Sequence, residues 1–447
     1  MQPQVPLLVG IGFACWLSYR DMRWRQLPSP ALWIAGLWLA FASSRQLSFW
    51  FNVGLGVGGE SSNLEGSPIN VVFNGGLFLA AVLVLGQRGF RWLKFCSANK
   101  ALISLYVFFM CSMLWSPFPW PTLRRVVQDF GCVLIGLIIL TEKDPAASLR
   151  VVFARVSYVL FPLSMVFIRY FPEIGRQISY VSGTHMLCGV TGHKNALGQM
   201  TMVFCLVLLW DLMETRKHVT ASLENNESWP RLANLGIGLY LLLISSSATA
   251  LLCFLIGVVL LFTGKRLARM KYARQVIMVG FLSIGCLFTF DHVFGISGRV
   301  FEALERDATL TGRTDIWRVT LEKNRGHLVG AGFRGFWETR EGESVSLELG
   351  TNRLITAHNG YLETYLNGGV VGLFLLGALI LSTGLKATRE LVKGDPIGRL
   401  AVVFWPIALM SNVTESGFFQ IGPLWFTMLL VTIDCPWQNP SEQGGHR

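Results

Sequence analysis

The stretch AHNGYLETYLNGGVVGLFLLG, residues 357–377, opens with a titratable imidazole at His358 and closes as uninterrupted apolar chain. Before it lies the polar segment 291–357, and from residue 370 onward side chains suited to hydrocarbon take over. Such a passage from polar loop to apolar run marks a boundary between water and membrane. Working outward, runs of the same kind recur at 5–19, 31–44, 69–86, 101–115, 126–140, 151–171, 196–210, 232–245, 248–263, 276–290, 370–383, 401–413 and 418–433. Several are shorter than the roughly 20 residues a helix needs to cross about 30 Å of hydrocarbon. Flanking Trp, Tyr, Lys and Arg extend short runs at the interface. The expected fold is therefore an all-α polytopic membrane protein with about 11–13 transmembrane helices and one large outer loop.

Composition agrees with this reading. Of the 447 residues, 52% are hydrophobic and only 15% charged, and the mean hydropathy is +0.48, which argues against two or three soluble domains. Charge sets the orientation. If loops 20–25, 88–100, 143–150, 216–231, 265–274, 386–399 and the C-terminal tail are cytoplasmic, they hold more than half of the 38 Lys and Arg. That asymmetry obeys the positive-inside rule, from which a segment as long as 291–357 is exempt. The net charge of +11 thus reflects topology, and no nucleic-acid partner is expected. The first run lacks the basic start and small-residue cleavage site of a secretory signal, so a retained helix is expected there. Along the chain, 1–290 reads as the N-terminal transmembrane helices, 291–357 as the large loop, 358–433 as the C-terminal transmembrane helices and 434–447 as a cytoplasmic tail. Most of the nine cysteines lie in or against apolar runs without a CxxC pair, as buried small hydrophobes do. Cys188 reads as a lone thiol in an outer loop.

Polar residues concentrate in two outer segments. The first, RQISYVSGTHMLCGVTGHKNALGQ at 176–199, reads as a loop leading into a span near residue 196 and carries Arg176, His185, His193, Lys194 and Asn195. In the second, LTGRTDIWRVTLEKNR at 310–325 reads as a turn at Thr311-Gly312 and then a helix, with Ile316, Val319 and Leu321 against the membrane surface. Arg313 falls in the first turn of that helix, where free N–H groups and the helix dipole favour an anion. It could equally snorkel, or pair with Asp315 or Glu322. If 357–367 is helical, His358, Tyr361, Leu362 and Tyr365 share a face, and Asn367-Gly368-Gly369 ends or kinks it. On these grounds His358 is either a catalytic base or an interfacial anchor. The chain has no GxxxxGK[ST], HExxH or GxSxG, and no DxD pair to hold a divalent metal on a diphosphate. A diphosphate would have to be met by arginine and lysine.

The segment HNGYLETYLNGG, a histidine followed after ten residues by Gly369, resembles the signature of the O-antigen ligase and polymerase superfamily, as does GRTDIW in the loop before it. Further fragments match in order: MLWSPFPWPTLRR at 113–125, GHKNALG at 192–198, ISSSATALL at 244–252 and NVTESG at 412–417. The resemblance implies a multi-pass protein of the bacterial inner membrane, an inverting, metal-independent glycosyltransferase that needs no cofactor. It would take glycan from an undecaprenyl-diphosphate carrier at the periplasmic face and pass it to a polysaccharide acceptor. Chain-length regulator and export proteins are candidate partners beside the lipid bilayer itself. In family terms His358 falls on the proposed catalytic histidine and Arg313 on a diphosphate-binding arginine. Lys194, Arg176, His193, Asn195, Asn359, Tyr361 and Glu415 are the candidates for binding substrate, with capping of the following helix as the alternative for Asn195 and an interfacial or helix-end carboxylate as the alternative for Glu415. One departure stands out: where relatives with ligase activity carry a Ser-Arg pair, this chain reads Ser246-Ser247-Ala248-Thr249. Lys194 would then supply the second charge, and the pattern looks closer to exopolysaccharide polymerases of the succinoglycan type than to lipid A-core ligases. The alternatives carried forward are a ligase acting on lipid A-core and an exporter of lipid-linked sugars.

Overall fold

The computed structural model describes residues 4–25, 27–51, 67–178, 183, 185–215, 228–269, 311–351 and 354–435. Every apolar run falls wholly or mainly on a helix except 276–290, which lies outside the described residues. The fold is that of an all-α polytopic membrane protein. By length and composition, five of the described helices can cross a membrane, or six if Trp92–Ala98 and Lys100–Leu114 form one span. This is fewer than the 11–13 crossings expected. Runs such as Leu32–Ala42, Trp229–Ile244 and Pro423–Thr432 form helices of only 10–17 residues, Gln4–Trp24 and Pro119–Leu140 are long enough but not apolar enough, and the run 276–290 lies outside the described residues.

The chain forms two compact units that do not follow chain order. The first comprises 1–98, 131–262 and 421–447. Its helices are α1 (Gln4–Trp24), α2 (Leu32–Ala42), α3 (Leu47–Trp50), α4 (Pro68–Gln87), α5 (Trp92–Ala98), α8 (Pro145–Tyr170), α9 (Pro172–Gly175), α10 (Lys194–Thr215), α11 (Trp229–Ile244) and α17 (Pro423–Thr432). It also takes the later part of α7 (Pro119–Leu140) and most of α12 (Ala248–Ala268). Helix α8 is the axis of this unit. Asp144 caps its start by accepting from the Ala147 N–H at 2.9 Å, with Pro145 in the first turn. It packs against α1, α2, α10 and α11, so it is buried nearly all round, as an apolar helix without a polar face must be. By contrast, only 11% of the apolar window of α4 is buried, which leaves that helix to face lipid.

Arg155, a charge within an apolar run, meets Asp21 at 3.5 Å, while Tyr158 donates to the same carboxylate at 3.3 Å. Nearby, Asp211 accepts from Arg25 at 2.7 Å and from Arg231 at 3.3 Å. Buried charges are thus neutralised in pairs, as the cost of burying them singly requires. Instead of a plain loop, 176–187 carries a short antiparallel hairpin, β1 (Arg176–Ile178) against β2 (His185–Leu187), in the register Arg176 to Leu187.

The second unit comprises 99–130 and 263–420. It contains α6 (Lys100–Cys111), the first turns of α7, α13 (Thr311–Lys323), α14 (Arg340–Glu348), α15 (Gly360–Lys393) and α16 (Pro396–Thr414). Helices α15 and α16 form an αα-hairpin. Gly394 ends α15 in the left-handed conformation, Asp395 caps α16 by accepting from the Gly398 N–H at 2.8 Å, and Pro396 opens it. The described part of the outer loop has its own small core of Trp317, Val319, Phe336, Trp337, Val345, Ala357 and Leu366. Val319 is buried there and Ile316 packs on it, so these two do not lie on the membrane surface as expected; Leu321 alone is exposed.

Helix α15 kinks at Gly369, where φ is +61° and ψ −160°. The broken helix leaves backbone groups to be satisfied, and segment 327–332 supplies them. Val370 N–H donates to His327 O at 2.9 Å and Val371 N–H to Leu328 O at 3.1 Å, while Ala331 and Gly332 N–H donate back to Leu366 and Asn367 carbonyls at 3.0 Å. A Cβ at Gly369 would strike the Leu328 backbone, and one at Gly330 would strike that of Asn367 and Gly368. Only glycine permits two backbones to approach so closely. The motif at 113–125 and the residue before it brace the same loop: Arg125 donates to Arg334 O at 2.7 Å and pairs with Glu338 at 2.5 Å, and Ser112 Oγ accepts from Phe333 N–H at 3.1 Å.

Candidate active site

The kink and the loop it holds bring one segment, 356–360, against the end of α16. His358 lies just before α15 and not on its face, because the helix begins only at Gly360. The expected shared face of His358 with Tyr361 and Tyr365 is therefore absent. Asn359 is the N-cap, its Oδ1 accepting from the N–H groups of Tyr361 and Leu362, both at 3.0 Å.

His358 has φ +51°, a left-handed conformation that costs a non-glycine residue energy and persists only where its surroundings enforce it. Those surroundings are identifiable. The Ala357 peptide is clamped on both sides: Trp317 Nε1 donates to its carbonyl at 2.8 Å, and its N–H donates to Glu363 Oε2 at 3.0 Å. Thr356 Oγ1 accepts from the His358 N–H at 3.2 Å and donates to Ser416 Oγ at 2.7 Å, and Ser416 Oγ accepts from the Asn359 N–H at 3.0 Å. Glu363 is buried and also accepts from Trp337 Nε1 and Asn367 Nδ2. It supports the segment before the histidine from inside the protein.

The side chain of His358 emerges 37% exposed, with Nδ1 3.7 Å from Glu415 Oε2. The other oxygen of that carboxylate meets Arg313 Nη2 at 3.0 Å, and Arg313 Nη1 donates to the Thr414 carbonyl. Arg313 and Glu415 are each 20% exposed. Thus one carboxylate stands between an imidazole and a guanidinium. Neither alternative partner expected for Arg313 is used; Asp315 and Glu322 pair with Arg318 instead. Burial would push the Glu415 carboxyl up, but the nearby His358 imidazole and the bonded Arg313 guanidinium outweigh it and hold the group below its ordinary value.

The backbone around Glu415 is fixed by Asn412, whose Oδ1 accepts from the Gly417 and Phe418 N–H groups at 2.8 and 2.7 Å. Tyr361 donates its hydroxyl to Leu409 O at 3.0 Å and sets its ring edge-on to Phe418. Asn359 and Tyr361 are thus used in holding the site.

Arg176, His193, Lys194 and Asn195 belong to the first unit, whereas Arg313, His358, Asn359, Tyr361 and Glu415 belong to the second. Arg176 donates to Ile168 O at 2.9 Å from the start of β1. His193 Nδ1 accepts from the Asn195 N–H at 3.2 Å, which ties the histidine to the first turn of α10. Residues that the sequence did not single out are Trp317, Trp337, Thr356 and Ser416. The fragments GRTDIW and NVTESG contain two of them, Trp317 and Ser416, and were the available signal.

Comparison with known proteins adds two findings. Residues 233–377 match the family model described as O-antigen ligase, a segment that runs from α11 past the kink of α15. Over 373 residues the chain is 25% identical to the exopolysaccharide production protein ExoQ of Rhizobium meliloti (strain 1021), covering 80% of this chain and 77% of that protein. Together the two matches support an O-antigen ligase/polymerase-like family for this multi-pass, all-α membrane chain.

Proposed function

We propose that the chain is a glycosyltransferase of the bacterial inner membrane. It polymerises exopolysaccharide or O-antigen repeat units from an undecaprenyl-diphosphate-linked donor at the periplasmic face. The observation that carries this reading is the strained, accessible His358 beside Arg313, on a rigid junction between loop and helix. The acceptor hydroxyl attacks the anomeric carbon of the donor sugar. Its proton passes to Nε2 of His358, the ring nitrogen turned away from Glu415, while the bond from the anomeric carbon to the diphosphate breaks. Attack opposite the leaving group inverts the anomeric centre. A positioned base of this kind contributes roughly 10² to 10⁴ in rate. Arg313 meets the charge that grows on the leaving lipid diphosphate, and removing one preorganised donor of that type costs about 2.7–4 kcal/mol. Neither step requires a metal or cofactor.

The test is polymer formation by single variants at matched membrane levels. His358→Ala and Arg313→Ala are expected to abolish high-molecular-weight polysaccharide, and Arg313→Lys to keep part of the activity, because lysine cannot grip phosphate with a two-pronged fork. Normal polymer from either alanine variant would overturn the assignment. The family description, O-antigen ligase, favours a second reading, a ligase, for which we take lipid A-core as the acceptor to test. Purified chain supplied with undecaprenyl-linked repeat units separates the two: elongation without a lipid A-core acceptor supports the polymerase, and transfer only in its presence supports the ligase.

A further inference from the structure

The Glu415 carboxylate is in an unusual place. It follows the last turn of α16, where the helix dipole disfavours an anion, and it is largely buried. Its two oxygens are divided between Arg313 at 3.0 Å and His358 at 3.7 Å. The first separation is a full hydrogen bond; the second is about 0.9 Å longer than one. Meanwhile Arg313 keeps a second anchor on the Thr414 carbonyl, so its guanidinium would stay in position if the carboxylate left it.

We propose that Glu415 is a positioning residue shared between Arg313 and His358, which an arriving diphosphate displaces from the arginine and thereby delivers to the imidazole. The inference rests on the assignment of Arg313 to the diphosphate and His358 to the base. A diphosphate carries more charge and more acceptor oxygens than one carboxylate, and it can take the arginine fork bidentately. Once displaced from Arg313, the carboxylate has the imidazole within 3.7 Å, less than an ångström short of bonding. Bonded to Nδ1, it fixes the tautomer that leaves Nε2 as acceptor and stabilises the imidazolium formed when the hydroxyl proton arrives. Donor binding and readiness of the base are then one event, and the base is held short of its working geometry while the donor site is empty. Glu415 therefore acts through its neighbours and is not assigned to the acceptor sugar.

The experiment uses the full chain in lipid nanodiscs, with Glu415→Gln and Glu415→Asp beside wild type. Glutamine retains the size of the side chain, and the main-chain bonds of residue 415 to Ser411 and Gly360 are unaffected by it. Undecaprenyl diphosphate is the binding probe, and turnover is followed with undecaprenyl-linked repeat units across pH. Among the described residues, the charged groups facing the imidazole are Glu415 from the end of α16 and, beyond it, Arg313 from α13.

For Glu415→Gln the expected result is a split. Undecaprenyl diphosphate binds about twofold to fivefold more tightly, the gain from freeing an arginine from a part-exposed pair. In the same variant kcat falls at least about tenfold, a part of the roughly 10² to 10⁴ that a positioned base supplies in full. The acid limb of the rate profile moves to lower pH, because a carboxylate favours the protonated ring and its removal does the opposite. Glu415→Asp, with charge but shorter reach, recovers part of kcat. Unchanged or weaker probe binding in Glu415→Gln, an unmoved acid limb, or an effect confined to the acceptor KM would each overturn the proposal. If His358→Ala and Arg313→Ala lose activity while the Glu415 results fail, the inference is wrong and the assignment of the site survives. Retained activity in those alanine variants would instead remove the assignment on which the inference rests.

Discussion

Glu363→Gln perturbs the support of the site without changing its shape. The carboxylate is buried and every partner is a donor: Trp337 Nε1 lies 3.0 and 3.1 Å from its two oxygens, Ala357 N 3.0 Å from Oε2, and Asn367 Nδ2 3.1 Å from Oε1. A carboxamide has one acceptor oxygen and one NH₂ group. Whichever way it is turned, the NH₂ faces an N–H. The substitution thus removes a bond to a charged acceptor, worth about 1.5–3 kcal/mol, and leaves a buried donor unmet, costing about 1–3 kcal/mol. Part of this is offset because a neutral group costs less to bury than a carboxylate. A net loss of about 1–3 kcal/mol is expected, or a melting temperature lower by about 2–10 °C for a unit of this size. Since the Ala357 N–H is one of two clamps on the peptide before His358, the rate per folded molecule should fall as well. Thermal unfolding of purified chain in detergent, with initial rates measured well below the transition, provides both numbers. If the variant melts and turns over as wild type does, then Glu363 does not support the histidine.

Three further outcomes follow from the same geometry. Gly369→Ala places a Cβ into the Leu328 backbone at a left-handed φ, strain of about 1–3 kcal/mol before any clash is counted; reduced activity with an intact amount of membrane protein would be seen on immunoblot and polymer gel. Arg155→Leu removes the 3.5 Å partner of Asp21 but leaves it Arg25 at 3.7 Å and the Tyr158 hydroxyl at 3.3 Å. The cost should therefore fall below the roughly 3–5 kcal/mol of an unpaired buried charge, at about 1–3 kcal/mol, read as a weaker detergent-stable monodisperse peak, whereas an unchanged peak would show that the pairing contributes little. The Glu415 carboxyl is held below its ordinary value of 4.5 in the folded chain, so its contribution is fully present above the unfolded value and is lost as pH falls through the folded one. The melting temperatures of wild type and Glu415→Gln should accordingly differ more at pH 7 than at a pH below that range, and an equal difference at both would refute it.

Helices and membrane character were legible because they follow from composition and run length, which are local properties. Gly369 was likewise readable as an interruption, since two glycines after an asparagine rarely continue a helix undisturbed. The number of crossings was not legible, because a run of 10–17 residues can be a half-span, a tilted span or a helix buried in protein, and only packing decides among these. His358 was found by its position at a boundary and by resemblance. Its place before the helix was not found, because Asn359 as N-cap requires knowing which main-chain groups its side chain reaches. The partner of Arg313 lies about a hundred residues away, and no spacing rule connects α13 to the end of α16. For the same reason Ile316 and Val319 were assigned to the membrane surface, although a small core formed with Trp337 and Leu366 offered them a drier place.

The site is built where two elements would each be incomplete alone. Helix α15 breaks at Gly369, and the segment 327–332 supplies backbone partners to the break; that segment, in turn, is held by the helix and by one local turn, Gly330 N–H to Gly326 O. This mutual completion fixes the first turns of α15, and with them Glu363, which holds Ala357. From the other side, Asn412 and Ser416 at the end of α16 hold the same few residues. His358 is thereby gripped from both flanks in a conformation it would not choose, while its ring stays open to solvent. Strain at a residue that is over-determined by its neighbours and yet exposed favours chemistry over anchoring, because an anchor requires burial or lipid contact and no particular backbone angle. On that distinction rests the proposal that His358 is the base, and the activity of His358→Ala decides between the base and the anchor.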